Sequence, residues 1–161
     1  MYLDKESKNF KYNMQYGIYT IQNESEIPQN LKEDKYTFYV KINGKDIKDY
    51  YIDYMDIMQN AFLFHTKDCV GNPDAFRDWM QDLGWLTYDD GNGIAYKNII
   101  LVFEHWNDVG KSFLSSGKKV REKILEDFIE DEGILESHYE RTKEYLEDSD
   151  NLKVFNIYLI P

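Results

Sequence analysis

Three short apolar runs limit what this chain can fold into: YTFYVKI (36–42), KNIILVFEHW (97–106) and LKVFNIYLI (152–160). Each is rich in β-branched and aromatic residues and reads as a strand; Asn43-Gly44 gives a turn signal after the first. The second and third are nearly continuous, as strands buried on both faces must be. The segments between them are helical in period. DYYIDYMDIMQNAFLF (49–64) reads as a helix capped by Asp49, its rings and methionines serving core packing. Residues 73–83 form a second, with Pro73 suited to its first turn. Residues 119–132 form a third, with Val120, Ile124, Leu125, Phe128 and Ile129 on one face and Glu122, Glu126 and Glu130 on another. Gly133 is placed to end it. Residues 135–148 are acidic and helical in pattern. The order strand, helix, helix, strand, helix, strand predicts an α/β fold: a small, mainly parallel sheet covered by helices. Residues 1–35 read as an N-terminal extension. Within it YGIYTI (16–21) offers an added edge strand and IPQNLKE a short helix. YDDGNG (88–93) reads as a turn.

The chain has 161 residues, 42% of them hydrophobic, enough for one domain with a real core. Its net charge is −11. Residues 120–150 hold 12 acids against 4 bases, so −8 of the total lies there. Such a surface repels nucleic acid and anionic membrane and attracts basic proteins. The single cysteine, Cys69, rules out a disulfide framework within the chain. MYLDKESKNFKY lacks the apolar run of a signal peptide, and no stretch reaches 18 uninterrupted apolar residues. The expectation is a cytoplasmic protein.

The polar feature that most needs a reason is in GNPDAFRDWMQDLGWL (71–86). Asp74, Asp78 and Asp82 recur every fourth residue, within a stripe of about 80° on a helix turning 100° per residue. Phe76, Trp79, Met80, Leu83 and Leu86 take the other side. Like charges at this spacing weaken a helix, so a use is expected. A divalent metal is one, because hard cations take oxygen ligands; a metal-dependent enzyme built on this ridge is the alternative function. A solvated helix face is another. The three histidines, His65, His105 and His138, have no zinc-ligand spacing. SSGKK (115–119) departs from a phosphate-binding loop in glycine spacing and in Lys119, and DDGNG lacks the closing acid of a calcium loop. Cys69 has no visible base and reads as a small buried thiol. No cofactor and no resident metal is expected. Carboxylates on a rigid helix can instead stand in for phosphates and fill a basic groove built to grip RNA.

The segments, taken in order, resemble the barstar-like family of ribonuclease inhibitors. YVKINGKDI resembles that family's first strand and turn, and GNPDAFRDWMQDLGWL its inhibitory loop and helix. IILVFEHW resembles the second strand, KILEDFIEDEG the long acidic helix, and VFNIYLI the closing strand. The likeness covers about residues 37–134 and 152–160. It implies a three-stranded parallel sheet with helices, and an immunity protein that blocks a basic ribonuclease toxin. Asp74 and Asp78 match the inhibitor's two helix aspartates, the second of which plugs the enzyme's phosphate site. Glu130 matches the acid of the later helix and Gly71 the glycine of the binding loop. Asp82 lies one turn beyond. The chain departs from the family in having Cys69 and Val70 where aromatics precede the glycine, and a loop one residue shorter. Arg77 replaces an aromatic and is expected to pair with Asp74 or with an acid on the target. Residues 1–35 and an acidic insertion at 135–150 have no counterpart. These departures point to an RNase-like toxin of another kind. A scaffold of the same fold with a non-nuclease partner is the remaining reading.

Overall fold

The computed structural model describes residues 8–9, 15–88, 93–144 and 152–161. The three apolar runs become β3 (Thr37–Asn43), β4 (Asn98–Glu104) and β5 (Val154–Leu159). Every residue of β5 and all but the last of β4 are buried, so the continuous runs are strands covered on both faces. Two further strands, β1 (Lys8–Asn9) and β2 (Gln15–Thr20), extend the sheet, whose order is β1-β2-β5-β4-β3. β2, β5, β4 and β3 run parallel; β1 pairs antiparallel with β2.

The expectation of a three-stranded parallel sheet is therefore corrected to four parallel strands. β2 pairs with β5 along its whole length, from Gln15–Val154 to Thr20–Leu159. What attaches it is partly polar and therefore faint in sequence. Asn156 on β5 donates to Gln15 Oε1 at 2.9 Å, and Gln15 Nε2 donates to the Tyr19 hydroxyl at 2.7 Å. β3 forms the other edge and sets Lys41 and Asn43 outward, a polar edge that discourages pairing with other strands.

Four helices gather on one face. They are α2 (Met55–Ala61), α3 (Pro73–Asp82), α4 (Val120–Ile129) and α5 (Ile134–Glu144). Ile99, Leu101, Phe103, Phe155, Ile157 and Leu159 meet Met58, Phe76, Met80, Ile124 and Phe128 there. The other face holds a smaller cluster of Ile100, Val102, Val154 and Tyr158, covered by Ile21, Ile27 and Leu31 from the segment around the short helix α1 (Gln29–Glu33). Asp49 caps as expected, accepting from the Ile52 and Asp53 amides, but the turn it caps is a π-helix, Tyr50–Tyr54, that passes into α2. α3 opens with Pro73 in its first turn, and the Asn72 side chain accepts from the Ala75 amide. It closes at Leu83 in the left-handed region, φ 54°. Expectations for residues 1–7, 10–14, 89–92 and 145–151 lie outside the described residues. These include the middle of the YDDGNG turn and the far end of the acidic segment.

Candidate functional site

α3 carries the aspartate stripe, and its neighbours fix its position. Phe76 and Met80 are fully buried. On the far side, α5 grips the C-terminal turn. Arg141 Nη1 donates to the Asp82 carbonyl at 3.0 Å, its Nη2 donates to the Gln81 carbonyl, and His138 Nε2 donates to the Met80 carbonyl at 2.8 Å. Those carbonyls end a helix and have no partner within it, and a cation there also opposes the negative end of the helix dipole. Burial pushes the His138 imidazole down to about 4, so the ring is neutral with its proton on Nε2. Gln81 Nε2 adds a bond to the Glu132 carbonyl at 2.8 Å.

All three aspartates of the stripe are exposed, but they differ in what holds them. Asp74 sits in the first turn of α3, where the helix dipole favours a negative charge. Asp82 Oδ1 accepts the Gly84 amide at 3.0 Å and helps shape the turn after the helix. Asp78 has neither support; among the described residues neither it nor Asp74 has a side-chain hydrogen bond or ion pair. The like-charge cost of the stripe therefore falls mainly on Asp78.

Arg77 does not pair with Asp74. Its Nη2 lies 3.2 Å from Glu130 Oε1 and 3.8 Å from Asp127 Oδ1, so the charge beside the stripe turns toward α4. Glu130, expected at the interface, is occupied by that bond. The other acids of α4 are also engaged. Glu126 pairs with Lys118, which holds its carboxyl below the usual range, and Glu122 accepts the Lys119 amide at 3.4 Å. Gly71, at φ 81°, donates its amide to the Tyr51 carbonyl at 3.0 Å and joins the loop before α3 to the π-helix. A Cβ there would meet no neighbour within 4 Å. Cys69 beneath it is buried, and burial pushes its thiol up.

Sequence reasoning missed a buried acid. Asp127, 2% exposed, accepts the Tyr50 hydroxyl, and Lys123 Nζ lies 3.0 Å from its other oxygen. The signal was present: Asp127 falls between Ile124 and Phe128 on the apolar face of α4, where a lone acid must be paired. The aromatic group around His65, Trp79 and Trp85 was missed as well. The two indoles approach to 4.8 Å, and the imidazole lies 6.0 and 5.6 Å from them. Among the described residues no three His, Cys, Asp or Glu side chains are grouped to hold a metal. No described helix is long and apolar enough to cross a membrane. No protein-family model, curated protein or solved structure matches the chain.

Proposed function

We propose that this chain is an inhibitor that docks the N-terminal and middle turns of α3 into the active site of a basic ribonuclease toxin. The observation that carries this reading is the contrast between the two acidic helices. Glu126, Asp127 and Glu130 are matched by Lys118, Lys123 and Arg77 within the chain, whereas Asp74 and Asp78 stand exposed on a helix pinned at its far end by α5. Two carboxylates one helical turn apart on a rigid support resemble successive phosphates to a groove of arginines and lysines. The resemblance of 71–86 to the inhibitory segment of the barstar-like family supports the same surface. Neutralising Glu130 through Arg77 narrows the contact toward Gly71, Asp74 and Asp78, with Asp82 at its margin.

The test begins by capturing partners from the native cell on immobilised protein and assaying them for RNA cleavage. The expected partner is a basic ribonuclease whose activity falls to zero at one equivalent of inhibitor and returns when Asp74 and Asp78 are both alanine. A partner without nuclease activity, or inhibition unchanged in the double variant, overturns the proposal. RNA cleavage by the purified chain itself with Mg²⁺ or Mn²⁺, abolished by Asp78→Ala, would put an enzyme in its place.

A further inference from the structure

Beside the aspartates, α3 borders a cleft of about 380 Å³ lined by His65, Asp78, Trp79, Asp82 and Trp85. Its walls are aromatic faces and its rim carries two carboxylates. The rings are fixed. Trp85 Nε1 donates to the Phe62 carbonyl at 2.9 Å, and Phe64, 4% exposed, stacks behind Trp79 at 5.4 Å. The chain's nearby cations are used elsewhere. Arg77 serves Glu130, Arg141 the α3 carbonyls, and Lys67 Nζ the Gln59 carbonyl at 3.4 Å.

Rings alone would suit an apolar partner, and carboxylates alone would be a solvated face. The combination suits a flat cation on an alkyl stem. A guanidinium stacks on an indole through its face and donates from its edge to carboxylates, and it sheds water more readily than an ammonium. We infer that this cleft receives an arginine side chain of the partner. The inference rests on the reading that α3 faces a basic protein, and it adds an anchoring point beside the phosphate-mimicking pair.

The isolated protein tests it. The chain has three tryptophans, and the third, Trp106, lies outside this cleft. Indole N–H resonances are followed while the capped tripeptide Gly-Arg-Gly is added through the millimolar range, with the neutral citrulline tripeptide as control. The expected result is a saturable shift of Trp79 and Trp85 with Trp106 unmoved, and a much weaker response to citrulline. Asp78→Asn with Asp82→Asn should weaken arginine binding about fivefold, the size of an exposed charge contribution; asparagine keeps an oxygen for the Gly84 amide. Trp79→Leu should abolish the shift of Trp85. Equal shifts with citrulline, movement of all three indoles together, or no saturable shift overturns the inference. If nuclease inhibition depends on Asp74 and Asp78 while the tripeptide leaves the indoles untouched, the cleft falls and the inhibitor reading stands. If the tripeptide binds but no nuclease is inhibited, the reverse holds.

Discussion

The Arg77 guanidinium lies 3.2 Å from the Glu130 carboxylate, a bond between α3 and α4 that draws the only positive charge in the helix away from its aspartate stripe. The same side chain approaches the buried Asp127, so it serves two acids of α4 at once. The surface thus separates into a neutralised half and an unpaired half. Arg77→Leu should free Glu130 and leave Asp127 more dependent on Lys123. The expected stability loss is about 1 kcal/mol, because the pair is partly exposed and screened. Urea unfolding measures it. The variant, more negative by one charge, should also associate faster with a basic partner at low salt, an advantage that disappears as salt is raised.

Asp78→Ala should leave the fold intact, since the carboxylate has no partner among the described residues and its removal relieves repulsion along the stripe. The melting temperature is expected to stay level or rise slightly. Binding to a basic nuclease should weaken by about 2–5 kcal/mol, the cost of leaving the partner's charges buried and unmatched. Titration calorimetry reads both the loss and its origin. Asp82→Ala should cost binding less and stability more, because Asp82 also accepts the Gly84 amide. Equal binding by parent and Asp78→Ala would make the stripe a solvated face.

How much of this could be read in advance follows the range of the interactions. β4 and β5 were legible because burial on both faces forces an unbroken apolar run. The start of α3 was legible because Pro73 acts locally. β2 was legible as an added edge strand from YGIYTI (16–21); its parallel pairing with β5 was not, since the polar contact of Asn156 with Gln15 joins residues 141 positions apart. α5 was legible as a helix from the pattern of 135–148, but its packing face was not. Its packed residues are Ile134, Leu135, His138 and Thr142, a helical stripe half of which is polar. Thr142 Oγ1 lies 3.0 Å from the Tyr16 hydroxyl, which also donates to the Leu152 carbonyl at 2.9 Å. The N-terminal segment and the acidic segment after α4 therefore meet each other through Tyr16 and Thr142. Within the chain Arg77 reaches Glu130 and not the expected Asp74, because helix–helix packing and not spacing along α3 decides which acid is in reach.

His138 gives the fold a pH dependence. Its folded value, about 4, lies below the ordinary 6.5, so the unfolded chain takes up the proton first. Stability from this residue is full above pH 6.5, declines as the pH falls toward 4, and levels below that. The decline is worth about 3 kcal/mol. Chemical unfolding at pH 7 and pH 4.5 should show a larger loss for the parent than for His138→Gln, which keeps a donor for the Met80 carbonyl but does not titrate. Identical slopes for the two proteins would show that His138 is not desolvated in solution.

Tyr50 and Tyr54 are stacked at 5.4 Å and are equally buried, yet their hydroxyls have opposite standing. Tyr50 donates to Asp127, and burial, reinforced by that carboxylate's charge, raises the phenol well above its usual range. Tyr54 is raised mainly by burial, and its hydroxyl has no hydrogen-bond partner among the described residues. A buried polar group loses its bonds to water on folding and recovers the cost only if it is paired. Tyr50→Phe removes the donor and leaves a carboxylate oxygen unmatched in the core. It should destabilise by about 1–3 kcal/mol. Tyr54→Phe removes a hydroxyl that gains nothing and keeps the ring against Phe76 and Phe103. It should be neutral or stabilising. The two substitutions delete the same atom from neighbouring rings, so differences in ring packing largely cancel in the comparison. Urea midpoints in which Tyr54→Phe loses as much as Tyr50→Phe would mean that the Tyr54 hydroxyl is bonded in solution, and that the cluster around Asp127 is larger than these side chains define.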